Sequence, residues 1–237
     1  MAIEFHNVVA GYSPTLTILN QLSFDARDGE VTLLIGPNGA GKSTALKTLF
    51  GLLAPRAGEV RIDGRDVSGT PPRKMLDAGV AFVPQGRNLF GSLSVLHNLE
   101  LGGITLKQGR EERIAEILAR FPRIRERQHN QASTLSGGEQ KQLEVGRALL
   151  LRPRVILIDE PSIGLSPILS EEVFRLLRGL ADAGTTVLMV EQNVRRALKY
   201  ADRALVLEMG RLALDRPAAE LLEDPDLNRF FLGGGKS

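Results

Sequence analysis

The segment of residues 36–44 constrains the fold of this chain more than any other. It has the sequence GPNGAGKST, which fits the pattern G-x-x-x-x-G-K-[ST] at every fixed position. The apolar run Val31–Ile35 precedes it, and a predicted helix over 42–50 follows. A buried parallel strand, a glycine-rich turn and a helix in this order are typical of a phosphate-binding loop. The alternative is a glycine-rich turn that binds nothing.

The residue types of this loop predict a nucleotide-binding site that also uses Mg²⁺. Glycines allow backbone N–H groups to close around the phosphates, and the helix presents its positive N-terminal end to the same anion. Lys42 is expected to reach the β and γ phosphates, and Ser43 to offer its hydroxyl to Mg²⁺. The predicted nucleotide-binding residues of the loop are Gly36, Pro37, Asn38, Gly39, Ala40, Gly41, Lys42, Ser43 and Thr44.

The composition is that of an ordinary globular protein. With 237 residues, of which 43% are hydrophobic and 24% are charged, the chain can form one large domain, or a core with a subdomain, around a buried interior. It contains 30 Lys and Arg against 28 Asp and Glu. Because these charges are interspersed, they give no case for a nucleic-acid partner.

Several classes of site and location are excluded by what the sequence lacks. There is no cysteine, which excludes disulfides and thiolate metal ligands. His6, His97 and His129 are too scattered to form a zinc motif. The N-terminus does not resemble a signal peptide, and no apolar run reaches the ~20 residues that a membrane-spanning helix needs. We expect a cytoplasmic chain that reaches a membrane only through a partner.

Apolar periodicity predicts an α/β core that a helical insertion interrupts. Strands are predicted before the insertion over 3–9, 16–26, 31–35, 58–62 and 80–83. After it come a strand over 155–160, helices over 167–183 and 193–200, strands over 185–190 and 204–207, and a short helix near 218–222. We expect a single domain over 1–237, with a core of 1–86 and 152–237 and a helical subdomain of 87–151.

The predicted helical subdomain has two recognisable helices. An apolar face over 113–121 has helical spacing and consists of Ile114, Ile117, Leu118 and Phe121. Pro122 is expected to end this helix and to begin a polar linker that runs to 132. Ser136 and Glu139 then have the spacing of a capping box, which predicts a second helix up to about 151.

Two adjacent carboxylates, Asp159 and Glu160, follow the apolar strand that begins at Val155. Phosphoryl transfer needs charge neutralisation and a positioned nucleophile. One carboxylate is therefore expected to support Mg²⁺ and the other to orient or deprotonate the attacking water. The alternative is a solvated strand end or a helix cap.

Together with further motifs, these features resemble the nucleotide-binding subunits of ATP-binding cassette (ABC) transporters. The motifs occur in one order along essentially the whole chain, and they are Tyr12, the loop 36–44, Gln85, the segment LSGGE at 135–139, the pair Asp159-Glu160 and the segment VEQN at 190–193. The resemblance implies a P-loop NTPase (RecA-like) α/β core with N-terminal antiparallel β strands and an inserted α-helical subdomain. It also implies ATP hydrolysis coupled to transport.

The resemblance assigns roles to individual residues. Tyr12 would stack on adenine. By itself, a tyrosine beside a glycine turn is more often ordinary surface or core, and the family context favours stacking. Gln85 would sense Mg²⁺ and the γ-phosphate, so the implied metal residues are Ser43, Gln85 and Asp159. The implied catalytic residues are Glu160, Lys42 and Gln192, the last of which replaces the histidine usual in the family. The signature residues Ser136, Gly137, Gly138 and Glu139 would contact the nucleotide of a neighbouring subunit.

The departures from the family pattern narrow the resemblance. Gln192, Ser166 and the segment VPQGR at 83–87 look like the ATPase of branched-chain amino acid importers of the LivF type, and so does the segment FLGG at 231–234. The final residues 233–237 are expected to be a frayed end. Urea or short-amide importers, lipid or polysaccharide exporters, and non-transport ABC ATPases that act on nucleic acid or ribosomes remain as alternatives.

The resemblance also implies partners. Two ATPase subunits would meet head to tail, as a homodimer or as a heterodimer with a paralogue. They would bind two integral membrane permease subunits and, through them, work with a solute-binding protein. The chain would then be peripheral on the inner face of the cell membrane. Leu89 and Phe90 are candidates for docking the permease or, alternatively, for the subdomain core.

Overall fold

The computed structural model of the chain describes residues 2–86 and 88–224. Its strands are β1 (Ile3–Ala10), β2 (Leu19–Ala26), β3 (Val31–Ile35), β4 (Ala57–Ile62), β5 (Arg65–Asp66), β6 (Val80–Val83), β7 (Val155–Asp159), β8 (Thr186–Val190), β9 (Arg203–Glu208) and β10 (Arg211–Pro217). Its α-helices are α1 (Lys42–Leu49), α2 (Pro72–Asp77), α3 (Val95–Gly102), α4 (Arg110–Arg120), α5 (Pro122–Glu126), α6 (Gly137–Leu149), α7 (Pro167–Asp182), α8 (Val194–Ala197) and α9 (Ala218–Glu223). Short 3₁₀ helices cover Ala132–Thr134 and Leu198–Tyr200.

A six-stranded sheet in the order β10-β9-β3-β8-β7-β6 forms the centre of the molecule. Neighbouring strands from β9 to β6 are parallel, and only the edge strand β10 is antiparallel to its neighbour. Every residue of β3, β7 and β8 is buried. Strands of a parallel sheet are covered by other elements on both faces, which explains their continuous apolar sequences.

Alternate residues of β3 show what covers the two faces. Val31, Leu33 and Ile35 belong to a core cluster that includes α7 and the inserted helices. Leu34 points the other way, into a second cluster that includes α1 and the antiparallel strands. Because side chains of a strand alternate between faces, the central sheet separates two apolar cores. The predicted α/β class is confirmed.

The N-terminal antiparallel strands that the family resemblance implies are also confirmed. They form a four-stranded sheet in the order β2-β1-β4-β5. Ile3 pairs with Ala26 on one side and with Ile62 on the other. Phe5 and Phe24 face each other across the first pair, with ring centroids 4.5 Å apart. This packing fixes the register of β1 against β2 and holds the sheet over the helix that follows the phosphate loop.

The inserted segment is helical, as predicted. Within 88–151, the described residues form α3, α4, α5, α6 and one 3₁₀ turn, and the only β pairing is an isolated bridge between Ser94 and Gln131. The four apolar side chains of the predicted face, Ile114, Ile117, Leu118 and Phe121, are all buried.

Three expectations about secondary structure were wrong or incomplete. The predicted polar linker after Pro122 begins with α5, whose Ile124 is fully buried. Proline is tolerated at the first position of a helix because its missing N–H would have no partner there. The strand predicted from 16 begins at Leu19, because the Arg56 guanidinium binds the carbonyl groups of Ser13, Pro14 and Leu16. The helix α2 and the edge strand β10 were not predicted.

Two predictions concern residues that the structure does not describe. They are the likeness of residues 231–234 to LivF-type ATPases and the frayed end expected at 233–237. Arg87, in the segment VPQGR, is also outside the described residues. Among the helices that the structure does describe, none combines the length and apolarity that crossing a membrane requires.

Candidate functional site

The phosphate loop has a backbone conformation that requires glycine. Gly36, Gly39 and Gly41 have φ values of 145°, 81° and 103°. A Cβ atom at Gly36 would lie 2.1 Å from the carbonyl oxygen of Leu207, which no side chain can tolerate. Glycine is required in this loop because a larger residue would be strained at these positive φ values and, at position 36, would collide with the backbone of Leu207. The loop also leaves backbone N–H groups available to a bound anion.

Lys42 lies folded against the loop that precedes it. Its Nζ atom donates hydrogen bonds to the carbonyl oxygens of Gly36, at 2.8 Å, and Pro37, at 3.0 Å. The side chain is 6% exposed. Burial lowers the pKa of Lys42, and the nearby carboxylates of Glu160 and Asp159 oppose this effect. The ammonium group is thus held at the first turn of α1, where an anion would bind.

A cavity of about 260 Å³ opens beside this loop. Tyr12 lies at its edge with 54% of its surface exposed. The Tyr12 hydroxyl is 3.4 Å from Oγ1 of Thr44, and Lys47 lies over the ring at 5.5 Å from its centroid. The exposed ring can therefore accept a planar group. The lining residues of the cavity are Tyr12, Ile18, Asn38, Gly39, Gly41, Lys42, Ser43, Thr44 and Glu160.

Asp159, the last residue of β7, lies beside the start of α1. Its Oδ1 atom accepts a hydrogen bond of 3.1 Å from the hydroxyl of Ser43. Burial raises the pKa of Asp159, while the Ser43 hydrogen bond opposes the rise and the negative charge of Glu160 adds to it. A buried carboxylate next to a hydroxyl offers the hard oxygen ligands that Mg²⁺ prefers, so these two residues fit the ion.

Glu160 lies between two glutamines. Its Oε2 atom accepts a hydrogen bond of 2.6 Å from Nε2 of Gln85, and its Oε1 atom accepts one of 2.7 Å from Nε2 of Gln192. The side chain is 6% exposed, and the backbone has a positive φ of 49°. A non-glycine residue rarely adopts this conformation, and such strain concentrates at functional sites.

Sheet topology explains why these three residues meet. Gln85 follows β6, Glu160 follows β7 and Gln192 follows β8, and the three strands are parallel neighbours. The carboxyl ends of parallel strands lie at one edge of a sheet, where open α/β folds bind their ligands. Gln85 and Gln192, which are 75 and 32 positions from Glu160 in the sequence, therefore both donate a hydrogen bond to its carboxylate.

The signature segment lies elsewhere on this chain. Ser136 caps α6, and its hydroxyl accepts a hydrogen bond from the N–H of Glu139 in a complete capping box. The Glu139 carboxylate accepts a return bond from the N–H of Ser136 and pairs with Arg127. Gly138 packs against α7, since a Cβ atom there would lie 2.8 Å from Leu169. None of the residues 135–139 is among those that line the 260 Å³ cavity.

The segment after Gln85 is tied to the signature helix through Asn88. The Asn88 N–H donates to Glu144, and its carbonyl oxygen accepts a bond of 2.6 Å from Arg147. Burial lowers the pKa of the Arg147 guanidinium. An adjacent groove of about 300 Å³ is lined by apolar side chains of β6 together with Asn88, Glu144 and Arg147. Phe90 is 51% exposed and Leu89 packs against the core.

Glu191 is a residue of the site region to which the sequence assigned no role. It is 2% exposed, and its carboxylate accepts three backbone hydrogen bonds, from Ser162, Gln192 and Asn193. The only sequence signal is its position between an apolar strand and Gln192.

Comparison with known proteins agrees with this architecture. The model of the ABC transporter family matches residues 19–163. The chain is 42% identical to the high-affinity branched-chain amino acid transport ATP-binding protein BraG of Pseudomonas aeruginosa, over 95% of this chain and 97% of that protein. It is 39% identical to a probable branched-chain amino acid transport ATP-binding protein LivF of Archaeoglobus fulgidus, over 94% and 95%. The lipopolysaccharide export ATP-binding protein LptB of Escherichia coli K12 is 33% identical, over 91% of both chains.

Solved structures with the same fold include ATP-binding cassettes with and without nucleotide. A nucleotide-free cassette from an ABC transporter superposes with a TM-score of 0.87 at 28% identity, over 97% of this chain and 98% of the other. The ADP conformation of such a cassette gives a TM-score of 0.88 at 28% identity, over 99% and 100%. With the phosphate loop and the strand-end carboxylates in the geometry described above, the chain belongs to the ABC transporter family, as one of its ATP-binding, ATP-hydrolysing subunits.

Proposed function

We propose that this chain hydrolyses ATP to drive an importer of branched-chain amino acids. The observation that carries the choice of solute is the identity to two branched-chain transport proteins, 42% and 39% over more than nine tenths of the chain, against 33% to a lipopolysaccharide export protein. The chemistry of the site supports the hydrolysis step, as follows.

The phosphate loop and Lys42 bind the triphosphate of ATP. The ammonium of Lys42 exchanges its bonds to Gly36 and Pro37 for bonds to phosphate oxygens, which are charged and therefore stronger acceptors. The remaining loop residues, Asn38 to Thr44, supply backbone N–H groups at the start of α1. Tyr12 stacks on the adenine at the mouth of the cavity, and its contacts with Thr44 and Lys47 hold the ring there.

Ser43, Asp159 and Gln85 would hold Mg²⁺ together with the phosphates. The ion, when bound, neutralises part of the charge that develops on the transferred phosphoryl group. Of the three residues, Ser43 and Asp159 are already in hydrogen-bond contact. Gln85 is positioned on Glu160 and can present its amide oxygen to the ion while its nitrogen donates to the carboxylate.

Glu160 orients or deprotonates the attacking water. Its two oxygens are held by Gln85 and Gln192, so the carboxylate is oriented before any substrate binds. Gln192 is neutral and can donate a hydrogen bond but cannot become a cation. Stabilisation of the transition state therefore depends on Lys42 and Mg²⁺ more than on this position.

A second ATPase subunit completes each site. Ser136, Gly137 and Gly138 lie at the N-terminus of α6, where backbone N–H groups can bind an anion, but they do not line the cavity of their own chain. They fit the nucleotide of a partner that packs head to tail. Within this chain the capping box engages Oε2 of Glu139 and Arg127 pairs with Oε1, so Glu139 contributes by shaping the helix end.

The helical segment 87–151 acts as a subdomain that carries closure to a permease. The rest of the chain, 1–86 and 152–237, forms the ATP-binding core. Asn88 joins the segment after Gln85 to α6, the helix that begins at the signature residues. A displacement of Gln85 would therefore also displace α6. The adjacent groove and the exposed ring of Phe90 are the surface offered to two membrane permease subunits, which would hold the chain at the inner face of the membrane.

Deletion of the gene in its own organism tests the proposal. We expect uptake of radiolabelled leucine, isoleucine and valine to be lost, and to return with the wild-type gene but not with Lys42→Ala. Affinity purification of the full-length chain from detergent-solubilised membranes should recover two polytopic subunits. Normal amino acid uptake with a defect in lipopolysaccharide export or urea uptake would contradict the assigned solute, and recovery with ribosomes or DNA alone would contradict transport.

A further inference from the structure

The carboxylate of Glu191 joins two loops that both enter the ATP site. Its Oε1 atom accepts a hydrogen bond of 2.8 Å from the N–H of Ser162, in the loop that follows Glu160. Its Oε2 atom accepts bonds of 3.0 Å from the N–H groups of Gln192 and Asn193, in the loop that follows β8. One side chain therefore fixes the separation between the loop of Glu160 and the loop of Gln192.

Glu191 is a buried carboxylate that is hydrogen-bonded to both loops, which distinguishes this contact from ordinary packing. At 2% exposure, its carboxylate is removed from water, and the three N–H donors replace the hydration that it has lost. Its two oxygens divide between the loops, one to each. The hydrogen bond of 2.7 Å between Gln192 and Glu160 spans the same two loops, so it needs them at one fixed distance.

We infer that Glu191 is a positioning residue for ATP hydrolysis, which sets the Gln192 amide against the Glu160 carboxylate by clamping their two loops together. The inference rests on the proposed roles of Glu160 and Gln192 in hydrolysis. Glu191 itself lines neither the cavity nor the phosphate loop. Its effect should therefore appear in the rate of hydrolysis and not in the binding of ATP.

The first test is the variant Glu191→Gln in the full-length chain. Glutamine has the same length, but its amide nitrogen replaces one acceptor oxygen, so at least one loop loses its bond. We expect kcat to fall by about tenfold, because small displacements of catalytic groups are costly, while KM for ATP stays within about twofold because Lys42 and Tyr12 are untouched. Glu191→Asp, which keeps the carboxylate, should recover part of the lost rate. Glu111→Gln, on the exposed face of α4, is the matched control.

A double-mutant cycle with Gln192→Ala separates positioning from a general structural effect. If Glu191 acts through Gln192, adding Glu191→Gln to Gln192→Ala lowers kcat by less than about twofold further. All variants are assayed below their own melting temperatures, so a loss of folded protein does not mimic the effect. Losses that multiply in the double variant, or a Glu191→Gln variant with wild-type kcat, overturn the inference.

The same cycle distinguishes failure of this inference from failure of the proposed function. If Gln192→Ala alone leaves kcat unchanged, the proposed role of Gln192 is wrong, and positioning through it is wrong as well. If Gln192→Ala lowers kcat while Glu191→Gln does not, the proposed site stands and only the role of Glu191 is refuted.

Discussion

The side-chain amide of Gln192 donates a hydrogen bond of 2.7 Å to Oε1 of Glu160. Gln85 donates to the other oxygen of the same carboxylate at 2.6 Å. Both donors are neutral amides, which do not titrate in the physiological range. A histidine at position 192, by contrast, would change its charge near pH 6.5. The two side chains that donate hydrogen bonds to Glu160 therefore keep the same charge across this pH range.

Substitutions at Gln192 test what this hydrogen bond contributes. Gln192→Ala removes the donor, and we expect kcat for ATP hydrolysis to fall about tenfold because Glu160 loses one of its two orienting contacts. Gln192→His restores a donor but should introduce a dependence of kcat on pH, with a midpoint above the ordinary value of about 6.5 because the Glu160 carboxylate favours the imidazolium. The measurement is kcat from about pH 6 to pH 8. A Gln192→His variant whose profile matches the wild type would contradict the contact.

Tyr12 provides a test of nucleotide binding that leaves the phosphate loop intact. Stacking of a base on an aromatic side chain contributes about 1–3 kcal/mol, so Tyr12→Ala should weaken ATP binding by roughly tenfold. Tyr12→Phe keeps the ring, loses only the hydroxyl contacts with Thr44 and Lys47, and is the matched control. Titration with a fluorescent ATP analogue measures both. Equal affinities for Tyr12→Ala and the wild type would remove Tyr12 from the site.

Asp159→Asn should stabilise the protein while it abolishes activity. Burial raises the pKa of Asp159 above its ordinary value of 3.8, so the folded state holds the proton more tightly than the unfolded state does. The stability that proton binding to Asp159 contributes is fully present at pH values below 3.8. It is lost as the pH rises through the higher pKa that Asp159 has in the folded state. At neutral pH the ionised carboxylate thus costs stability, which the neutral asparagine does not.

Thermal unfolding of metal-free protein measures this effect. We expect Asp159→Asn to raise Tm by about 2 °C near pH 7 and to lose this advantage as the pH approaches 3.8. Asp77→Asn, at an exposed carboxylate at the end of α2, serves as the comparison. If the rise in Tm of Asp159→Asn were largest at acid pH, or if its Tm were below that of the wild type at neutral pH, the ionised Asp159 carboxylate would not be destabilising.

Pairs of inactive variants test whether Ser136 acts on a partner's nucleotide. Lys42→Ala disables the phosphate loop, and Ser136→Arg places a large cation at the start of α6. In a head-to-tail dimer of one molecule of each, one site carries both lesions and the other carries neither. Random pairing of equal amounts makes about half of the dimers mixed, so mixing the two variants should restore hydrolysis to about a quarter of the wild-type rate per dimer. If Ser136 acts within its own chain, the mixture is no more active than its separate components.

The sequence allowed the phosphate loop and the carboxylate pair to be predicted because local rules specify them. Glycine at 36, 39 and 41 follows from positive φ, and the apolar residues 155–158 of β7 follow from burial on both faces. Capping of α6 by Ser136 was likewise predicted from spacing, and it is confirmed. In each case a local sequence pattern was enough for the prediction.

Features that depend on distant residues could not be predicted in this way. The three N–H donors of Glu191 come together only when β7 and β8 pair, and no periodicity marks a carboxylate that binds backbone groups. The positive φ of Glu160 is imposed by its surroundings, because glutamate has no local preference for it. The helix α5 was missed because Pro122 was interpreted only as the end of α4. The same proline is the first residue of α5, where its missing N–H is not needed.

The variant Glu160→Gln tests whether this carboxylate activates the water that attacks ATP. It keeps the size of the side chain but removes the charge that orients or deprotonates water. Binding of ATP and its hydrolysis are measured on the same full-length preparation, with Glu111→Gln as the control. We predict that ATP binds as tightly as to the wild type while hydrolysis falls by about 100-fold or more. Turnover at the wild-type rate would contradict the assignment of Glu160 and, with it, the proposed mechanism.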